Sequence, residues 1–328
     1  MRTTVFRQRS AKHRFISLFF ILVALIISAC QPPPEPPLRI GTNVWMGYEP
    51  FYLARTLGYY QNSPIKLVEL SSASDVIHAL RSGNLEGATL TLDEALLLIS
   101  EGHDLKVILV TDFSAGGDAL VAKPEITSLE ELKGKQVAVE YTAVGALLLD
   151  SALKAGGLEL TDIDLVGCTV VAHLDCYLSN DAIVTFDPVR RKLMDMGANL
   201  LYDSNQIPDK IIDVLVVREI ILDEHSKSLT HLVSGYFKAR SFLDSNPGKA
   251  AQYMSKRMQL SPDKVLSTFE GIRMPSLAEN SRLLKGTHSP LQLTAKSLSE
   301  FMFKRKLINK TIQLNGLSND RFLPVNGQ

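Results

Sequence analysis

The sequence lacks the short motifs that usually carry nucleotide and metal chemistry. Its 328 residues contain no G-x-x-x-x-G-K-[ST] phosphate loop, no G-x-G-x-x-G turn, no H-E-x-x-H pair and no paired C-x-x-C. The seven histidines are scattered, and no two of them are four residues apart. Nucleotide hydrolysis, dinucleotide chemistry and a zinc site therefore lose their usual sequence support. We expect no metal and no cofactor.

An excess of basic charge is also absent. The chain has 35 basic and 35 acidic residues, and five of the basic ones lie within the first fourteen positions. Without that N-terminal segment the formal charge falls to about −5 with neutral histidines. Nucleic-acid-binding proteins usually carry basic patches. The composition therefore predicts no nucleic-acid partner.

Cysteine is scarce, with three residues in the whole chain. Cys168 and Cys176 are close enough in sequence to pair across a small loop between a strand end and the next helix, if the compartment is oxidising. Two buried free thiols are an equal alternative, because spacing along the chain does not give the distance between the side chains.

Long apolar runs are confined to the N-terminus. Basic residues precede an uncharged run over residues 15–29, which is shorter than the roughly 20 residues of a membrane-spanning helix. We therefore predict that residues 1–29 are a secretory signal peptide. The run ends in Ile27-Ser28-Ala29-Cys30, which resembles the lipobox of bacterial lipoproteins and implies lipidation of Cys30. An ordinary signal followed by a chance cysteine is the alternative.

The segment after the apolar run is rich in proline. Residues 30–37 read CQPPPEPP, and such a sequence favours an extended, stiff conformation. We interpret it as a tether between the lipidated cysteine and a folded part that lies outside the cytoplasm, attached to a membrane through the lipid.

The remaining chain alternates apolar, β-branched runs with segments of helical period. Predicted strands cover residues 38–42, 65–70, 87–90, 106–111, 119–122, 136–139, 164–171, 182–185 and 214–217. Predicted helices cover residues 51–57, 76–81, 93–100, 145–155 and 189–196, and the chain is mostly helical after Leu222. This alternation is typical of an α/β fold with mostly parallel sheets flanked by helices.

Two similar strands divide the chain into two lobes. DALVAKPE (118–125) and DVLVVRE (213–219) each follow a turn and are interpreted as the outward and return crossings. Residues 38–118 plus 213–328 then form lobe 1, and residues 119–212 form lobe 2. Ligands of open α/β sheets bind beyond the carboxyl ends of the strands, so a cleft between the lobes is expected.

Polar and aromatic groups follow five of the predicted strands. We predict that they line the cleft: Asn43, Trp45, Gly47, Tyr48, Thr91, Asp93, Asp112, Ser114, Glu140, Tyr141, Thr142, Thr185 and Asp187. A serine hydrolase using Ser114 and His173 is a weak alternative, because a nucleophile elbow continues into a helix, whereas Ser114 is followed by two glycines and a strand. Taken singly, Asp93, Thr142 and Asp187 also suit a helix cap or a turn.

These stretches resemble the nitrate/sulfonate/taurine family of periplasmic solute-binding proteins, which extends to the binders of thiamin pyrimidine precursors. The resemblance rests on RIGTNVWMGYEPFYLARTLGYY, the block TLDEALLLISEGHDLKVILVTDFSAGGDALVAK, LEELKGKQVAVE, GALLLDSALKAGG, AIVTFDPVRRKL and NQIPDKIIDVLVV, in family order. It implies a two-lobed, hinged binding fold that delivers a small molecule to an ABC permease. It also implies that Trp45, Gly47, Tyr48, Asp112, Ser114, Tyr141 and Thr142 line the cleft.

Three functional readings follow from the sequence. The first is a monomeric transport binding protein, the second a ligand-sensing module for a membrane-bound signalling protein, and the third a periplasmic hydrolase. The candidate loops carry carboxylates and aromatics but no lysine or arginine. This favours a ligand with amino or ring N–H donors over nitrate or sulfonate, although helix N-termini near Asp93 and Thr142 would suit an anion.

Overall fold

A computed structural model describes residues 35–325 of the chain. The predicted signal peptide and Cys30 lie outside the described residues. Among those described, no helix is both long enough and apolar enough to cross a membrane.

The described residues form eleven strands and eleven α-helices. In chain order the strands are β1 (Leu38–Thr42), β2 (Ile65–Glu69), β3 (Gly87–Thr91), β4 (Leu105–Ser114), β5 (Asp118–Ala122), β6 (Gln136–Val139), β7 (Asp164–Gly167), β8 (Ala182–Phe186), β9 (Asn199–Asp203), β10 (Ile212–Arg218) and β11 (Ile272–Arg273). The helices are α1 (Glu49–Thr56), α2 (Ala73–Arg81), α3 (Leu92–Ser100), α4 (Ala143–Ala155), α5 (His173–Ser179), α6 (Val189–Asp195), α7 (Ser226–Ser245), α8 (Pro247–Met258), α9 (Pro262–Thr268), α10 (Leu277–Leu284) and α11 (Pro290–Lys304).

The strands form two sheets. The six-stranded sheet has the order β11-β4-β10-β3-β1-β2, and the five-stranded sheet has the order β7-β6-β8-β5-β9. We call the parts built around them the first and second lobes. The chain passes from the first to the second through residues 115–117 and returns through residues 204–211. The exact lobe boundaries remain a prediction.

Both sheets are mixed, rather than mostly parallel as the sequence suggested. Strands β1, β2 and β3 pair in parallel, as do β6, β7 and β8. In contrast, β10 is antiparallel to β3 and β4, and β5 is antiparallel to β8 and β9. The difference arises where the chain crosses between the lobes. Parallel neighbours in a sheet are joined by a crossover, usually a helix, and no such crossover leads into β5 or β10 in the described chain.

Strand β10 illustrates why an apolar run becomes a central strand. Leu215 and Val217 pack into one core cluster, whereas Val214 and Val216 pack into the cluster on the opposite face of the sheet. Because successive side chains point to opposite faces, a strand covered on both sides must be apolar at every position.

Proline and serine mark several helix starts. Pro247, Pro262 and Pro290 stand at the first turn of α8, α9 and α11, where the missing N–H is not needed. Ser276 caps α10 by accepting a hydrogen bond from the Glu279 N–H at 3.2 Å, directly after Pro275. The proline pattern thus predicted these starts to within about two residues.

A disulfide bond joins Cys168 and Cys176, whose Cα atoms are 6.4 Å apart. It connects the residue after β7 to helix α5, which answers the question that spacing left open. Strand β7 ends at Gly167, not at Val171 as predicted, because residues 170–172 form a short 3-10 turn that leads into α5.

Candidate functional site

A cleft lies where the carboxyl ends of β1, β3, β6 and β8 meet between the lobes. It encloses about 700 Å³ of space, including its open mouth. Its wall is formed by Asn43, Trp45, Tyr48, Ala73, Thr91, Glu94, Asp118, Glu140, Thr142, Val144, Gly145, Val170, His173, Val184, Phe186, Ile211 and Asp213. This is the position where open α/β sheets bind their ligands.

Two aromatic side chains of the first lobe are fixed by buried carboxylates. The indole Nε1 of Trp45 donates a hydrogen bond to Asp112 Oδ1 at 3.0 Å, and the Tyr48 hydroxyl donates to Asp213. A Cβ at Gly47 would lie 1.8 Å from Asp112 Oδ2, so glycine is required there. The loop after β1 therefore holds both rings against the cleft.

The cleft wall carries four carboxylates. Glu94, Asp118 and Asp213 are each more than nine-tenths buried, and Glu140 is half-buried. Among the described residues, no lysine or arginine lines the wall. The guanidinium of Arg190 is bound to Asp187 at 3.0 Å.

Burial raises the pKa of these four carboxyl groups. The pKa of Asp118 rises to about 6 and that of Glu140 to about 7. Burial and then the neighbouring Asp93 raise the pKa of Glu94 to about 8, and burial with Asp112 raises the pKa of Asp213 well above its ordinary value. Near neutral pH most of the Glu94 carboxyl and part of the Glu140 carboxyl therefore retain their protons.

Helix α5 places a histidine on the second-lobe wall. His173 Nδ1 lies 3.0 Å from Thr185 Oγ1, and its ring meets that of Phe186 edge-on at 5.4 Å between centroids. Its Nε2 is buried without a hydrogen-bond partner among the described residues. Burial lowers the pKa of His173 to about 4. A neutral imidazole therefore lines the cleft, and its Nε2 retains an unused hydrogen-bonding capacity.

Six of the residues predicted from the sequence lie on the cleft wall: Asn43, Trp45, Tyr48, Thr91, Glu140 and Thr142. Thr185 lies behind the wall and holds His173, while Gly47 and Asp112 support the Trp45 loop. Asp187 is fully buried and bound to Arg190 and Arg191. Tyr141 is 69% exposed and does not line the cleft.

Ser114 stands at the first crossing between the lobes. Its Oγ lies 2.8 Å from Ser204 Oγ and accepts a hydrogen bond from the Asp118 N–H at 3.2 Å. The serine thus joins the two crossing segments, and His173 bonds Thr185 instead. The serine–histidine pairing that a hydrolase would use is not formed between these two residues.

Sequence reasoning missed five chemically distinctive wall residues: Glu94, Asp118, His173, Phe186 and Asp213. Asp118 and Asp213 each begin one of the two apolar crossing stretches, so an acid before a crossing strand was a usable signal. Glu94 closes the capping box of α3 by accepting a hydrogen bond from the Thr91 N–H at 2.9 Å, so the T-x-x-E spacing was a usable signal for its direction. Among the described residues, no cluster of three or more potential ligands suits a metal ion.

Comparisons with known proteins agree with this architecture. The taurine-binding periplasmic protein of Escherichia coli K12 is 24% identical over 201 residues, which cover 59% of this chain and 62% of that protein. The chain thus spans about three fifths of the length of the curated relatives it matches. The periplasmic aliphatic sulphonate binding protein SsuA from Escherichia coli superposes with a TM-score of 0.71 at 18% identity, covering 86% of this chain and 96% of that one.

An enzyme shares the fold as well. The desulfurization enzyme DSZB superposes with a TM-score of 0.65 at 15% identity, covering 87% of this chain and 97% of that one. Likeness at this level establishes the periplasmic binding protein fold and leaves activity to be argued from the site. The sequence profile of the NMT1-like family matches residues 31–258, more than half of the chain. The chain therefore belongs to the NMT1-like family, within the nitrate/sulfonate/taurine group of solute-binding relatives that its sequence resembles.

Proposed function

We propose that this chain is an extracytoplasmic binding protein that holds a small, positively charged nitrogenous solute in the cleft and delivers it to an ABC importer. The observation that carries the proposal is the wall itself, in which four carboxyl groups line the cleft and, within the described part of the chain, no lysine or arginine accompanies them.

The electrostatic argument concerns what neutralises these carboxylates. A buried carboxylate without a partner takes up a proton, because desolvation penalises its charged form. A protonated amine or ring nitrogen supplies the missing positive charge and donates charge-assisted hydrogen bonds to the carboxylates in place of water. A sulfonate or nitrate would find no cationic side chain to balance its charge among the described residues of the wall.

The aromatic part of the wall suits the same ligand. Trp45 of the first lobe and Phe186 of the second meet edge to face, with 6.1 Å between their ring centroids. The face of an indole attracts a nearby cation by about 0.5–2 kcal/mol. His173 Nε2 adds one neutral polar contact on the opposite side. A flat or compact organic cation would use all three groups.

The names of two relatives state which solutes those proteins bind. One binds taurine, which carries both an amine and a sulfonate, and another binds aliphatic sulphonates. The carboxylates of this cleft offer partners for an amine. The described residues that form the wall include no cationic side chain for a sulfonate. We therefore assign this chain to an amine-bearing solute without a sulfonate group.

Membrane attachment forms part of the proposal. Cys30 follows a lipobox-like sequence, and lipidation there would hold the binding protein beside a permease. Cys30→Ser is expected to yield a protein that is not acylated and no longer partitions with membranes. Membrane association that survives this substitution would remove the anchor from the proposal.

The ligand is best identified by mass spectrometry of small molecules released from the purified, denatured protein. We expect a compound with a protonated nitrogen. Calorimetry with that compound should then show binding that Glu140→Gln weakens by about tenfold or more, the loss of one charged contact. The exposed Glu125→Gln serves as the control. Tight binding of an alkyl sulfonate without competition from amines would refute the assignment.

A further inference from the structure

The ring of His173 is held in one orientation by three constraints within the second lobe. Its Nδ1 lies 3.0 Å from Thr185 Oγ1 on β8, and the ring meets that of Phe186 edge-on at 5.4 Å between centroids. The disulfide bond of Cys176 ties helix α5, which begins at His173, to the residue after β7. The imidazole therefore cannot turn towards other partners without breaking these contacts.

The hydroxyl of Thr185 decides which nitrogen of His173 carries the proton. Thr185 is 1% exposed, and within the described chain its Oγ1 has one hydrogen-bond partner, His173 Nδ1. Burial lowers the pKa of His173 to about 4, so near pH 7 the ring is neutral, with one nitrogen that donates and one that accepts. The buried hydroxyl proton needs an acceptor. Thr185 therefore donates to Nδ1, and Nε2 carries the ring proton.

The opposite arrangement leaves more groups unsatisfied. If Nδ1 carried the proton and donated to Thr185, the buried hydroxyl proton would have no acceptor and the Nε2 lone pair would have no donor. With the proton on Nε2, the Nε2–H is the one group of this pair that lacks a partner among the described residues. Most buried polar groups in native proteins are hydrogen-bonded, so a buried N–H in a cleft wall without a protein partner points to a ligand atom.

We infer that His173 is a specificity-determining residue: its Nε2–H donates a hydrogen bond to an uncharged acceptor atom of the solute, and Thr185 positions it as a donor. His173 lines the cleft, whereas Thr185 lies outside its wall. The two nitrogens of an imidazole point in nearly opposite directions, so the bond from Thr185 to Nδ1 leaves Nε2 on the side away from Thr185. This inference rests on the proposed function in taking the cleft as the solute site.

The acceptor adds a second feature to the solute. The four carboxyl groups of the wall accept hydrogen bonds when ionised and suit the cationic nitrogen of the proposed solute. The neutral imidazole instead bonds a hydroxyl, ether or carbonyl oxygen, or an unprotonated ring nitrogen, none of which brings a charge into the cleft. The inferred class is therefore an organic cation that also carries an uncharged hydrogen-bond acceptor.

The position of the ring proton is tested by nitrogen-15 NMR of the unsubstituted protein near pH 7. A protonated and an unprotonated ring nitrogen resonate far apart, and the ring of His173 is assigned by its nuclear Overhauser contacts with Phe186. We expect a protonated Nε2 and an unprotonated Nδ1. A protonated Nδ1 would overturn the inference.

Two substitutions test Thr185 as a positioning residue. Thr185→Val removes the hydroxyl at similar volume, so the Nδ1 signal should move to the shift of a nitrogen that accepts no hydrogen bond. Thr185→Ser keeps a hydroxyl and should retain the signal of the unsubstituted protein. Circular dichroism checks that both variants are folded. An Nδ1 signal that stays unchanged in folded Thr185→Val would show that Thr185 is not the donor.

The acceptor requirement is tested by calorimetry with two cations of matched shape, morpholinium and piperidinium. Morpholinium carries an ether oxygen where piperidinium has a methylene group, and both are protonated near pH 7. We expect morpholinium to bind about fivefold more tightly, as one hydrogen bond provides, and His173→Phe to abolish this preference. The control His78→Phe changes an exposed histidine of α2 and should keep it. Equal affinity of the unsubstituted protein for the two cations would overturn the inference.

The outcomes separate this inference from the proposed function. If piperidinium binds as tightly as morpholinium, the cation assignment stands and the role of His173 is lost. If the solute released from the native protein carries no cationic nitrogen, the proposed function fails, while the NMR spectrum still reports which nitrogen of His173 carries the proton.

Discussion

Trp45 offers the sharpest single test of how the cleft is built, because the residue both lines the cleft and belongs to the core. Its side chain is 5% exposed, packs in a core cluster of the first lobe and donates to Asp112. A tryptophan in a loop that lines a cleft is ordinarily expected to contact ligand and to have little effect on stability. The observed burial changes that expectation.

Two substitutions separate packing from hydrogen bonding. Trp45→Ala deletes a buried ring and should lower the free energy of unfolding by about 3–5 kcal/mol. Trp45→Phe keeps most of the ring but leaves the buried Asp112 without its indole donor, at a cost of about 1–3 kcal/mol. In the folded state, Trp45→Ala should also weaken solute binding by about tenfold or more, whereas Trp45→Phe retains part of the aromatic contact.

The stability assay is urea unfolding followed by circular dichroism, since both variants lack the sole tryptophan. Binding is measured by calorimetry below the unfolding transition. The matched control is Tyr253→Phe, which removes only a hydroxyl from a ring that is 40% exposed. If Trp45→Ala loses less than about 1 kcal/mol, the side chain is not part of the core, and the geometry described for the Trp45 loop is wrong.

Two further predictions concern pH and the disulfide bond. The folded protein should lose stability as the pH rises from about 5 to 8: burial raises the pKa of Glu140 to about 7 and of Glu94 to about 8, so the folded state retains protons that the unfolded chain has already released near pH 4.5. The stability that these retained protons contribute is fully present below the pKa of the unfolded chain and is lost as the pH rises through the pKa of the folded state. Urea midpoints that increase between about pH 5 and 8 would contradict the raised pKa values. Reducing the bond between Cys168 and Cys176, eight residues apart, should lower the free energy of unfolding by about 2–3 kcal/mol and weaken solute binding, because it frees the segment that carries His173. A double Cys→Ser variant, whose unfolding should not respond to reductant, is the control.

Most of the fold could be predicted from the sequence, because its central strands are short, apolar and rich in β-branched residues. Strands such as Gln136–Val139 appear in the structure with their predicted bounds. The sequence did not reveal β9, because Asn199–Asp203 has two leucines and a tyrosine but no β-branched residue. Conversely, the β-branched run after Cys168 suggested a longer strand, but there the disulfide bond and the 3-10 turn lead the chain into α5.

The cleft was predictable in position but only partly in composition. Loops at the carboxyl ends of strands carry Trp45, Thr91 and Glu140 to the wall, as the topology of α/β sheets requires. What could not be read was the side-chain direction of Asp93. It is the neighbour of Glu94 on one helix, yet Glu94 lines the cleft and Asp93 does not.

Both lobes contribute carboxyl groups to the same cleft. Bringing the lobes together would therefore require that the charges of these groups be neutralised. Glu94 belongs to the first lobe and Glu140 to the second, and burial raises the pKa of both. When the lobes approach, these groups are desolvated together, so their charges must be removed by protons or balanced by a bound cation. Protons can neutralise these groups, whereas a cationic solute would add hydrogen bonds and aromatic contacts with Trp45 that protons cannot provide. We therefore propose a cation as the ligand, and its binding should release protons near neutral pH.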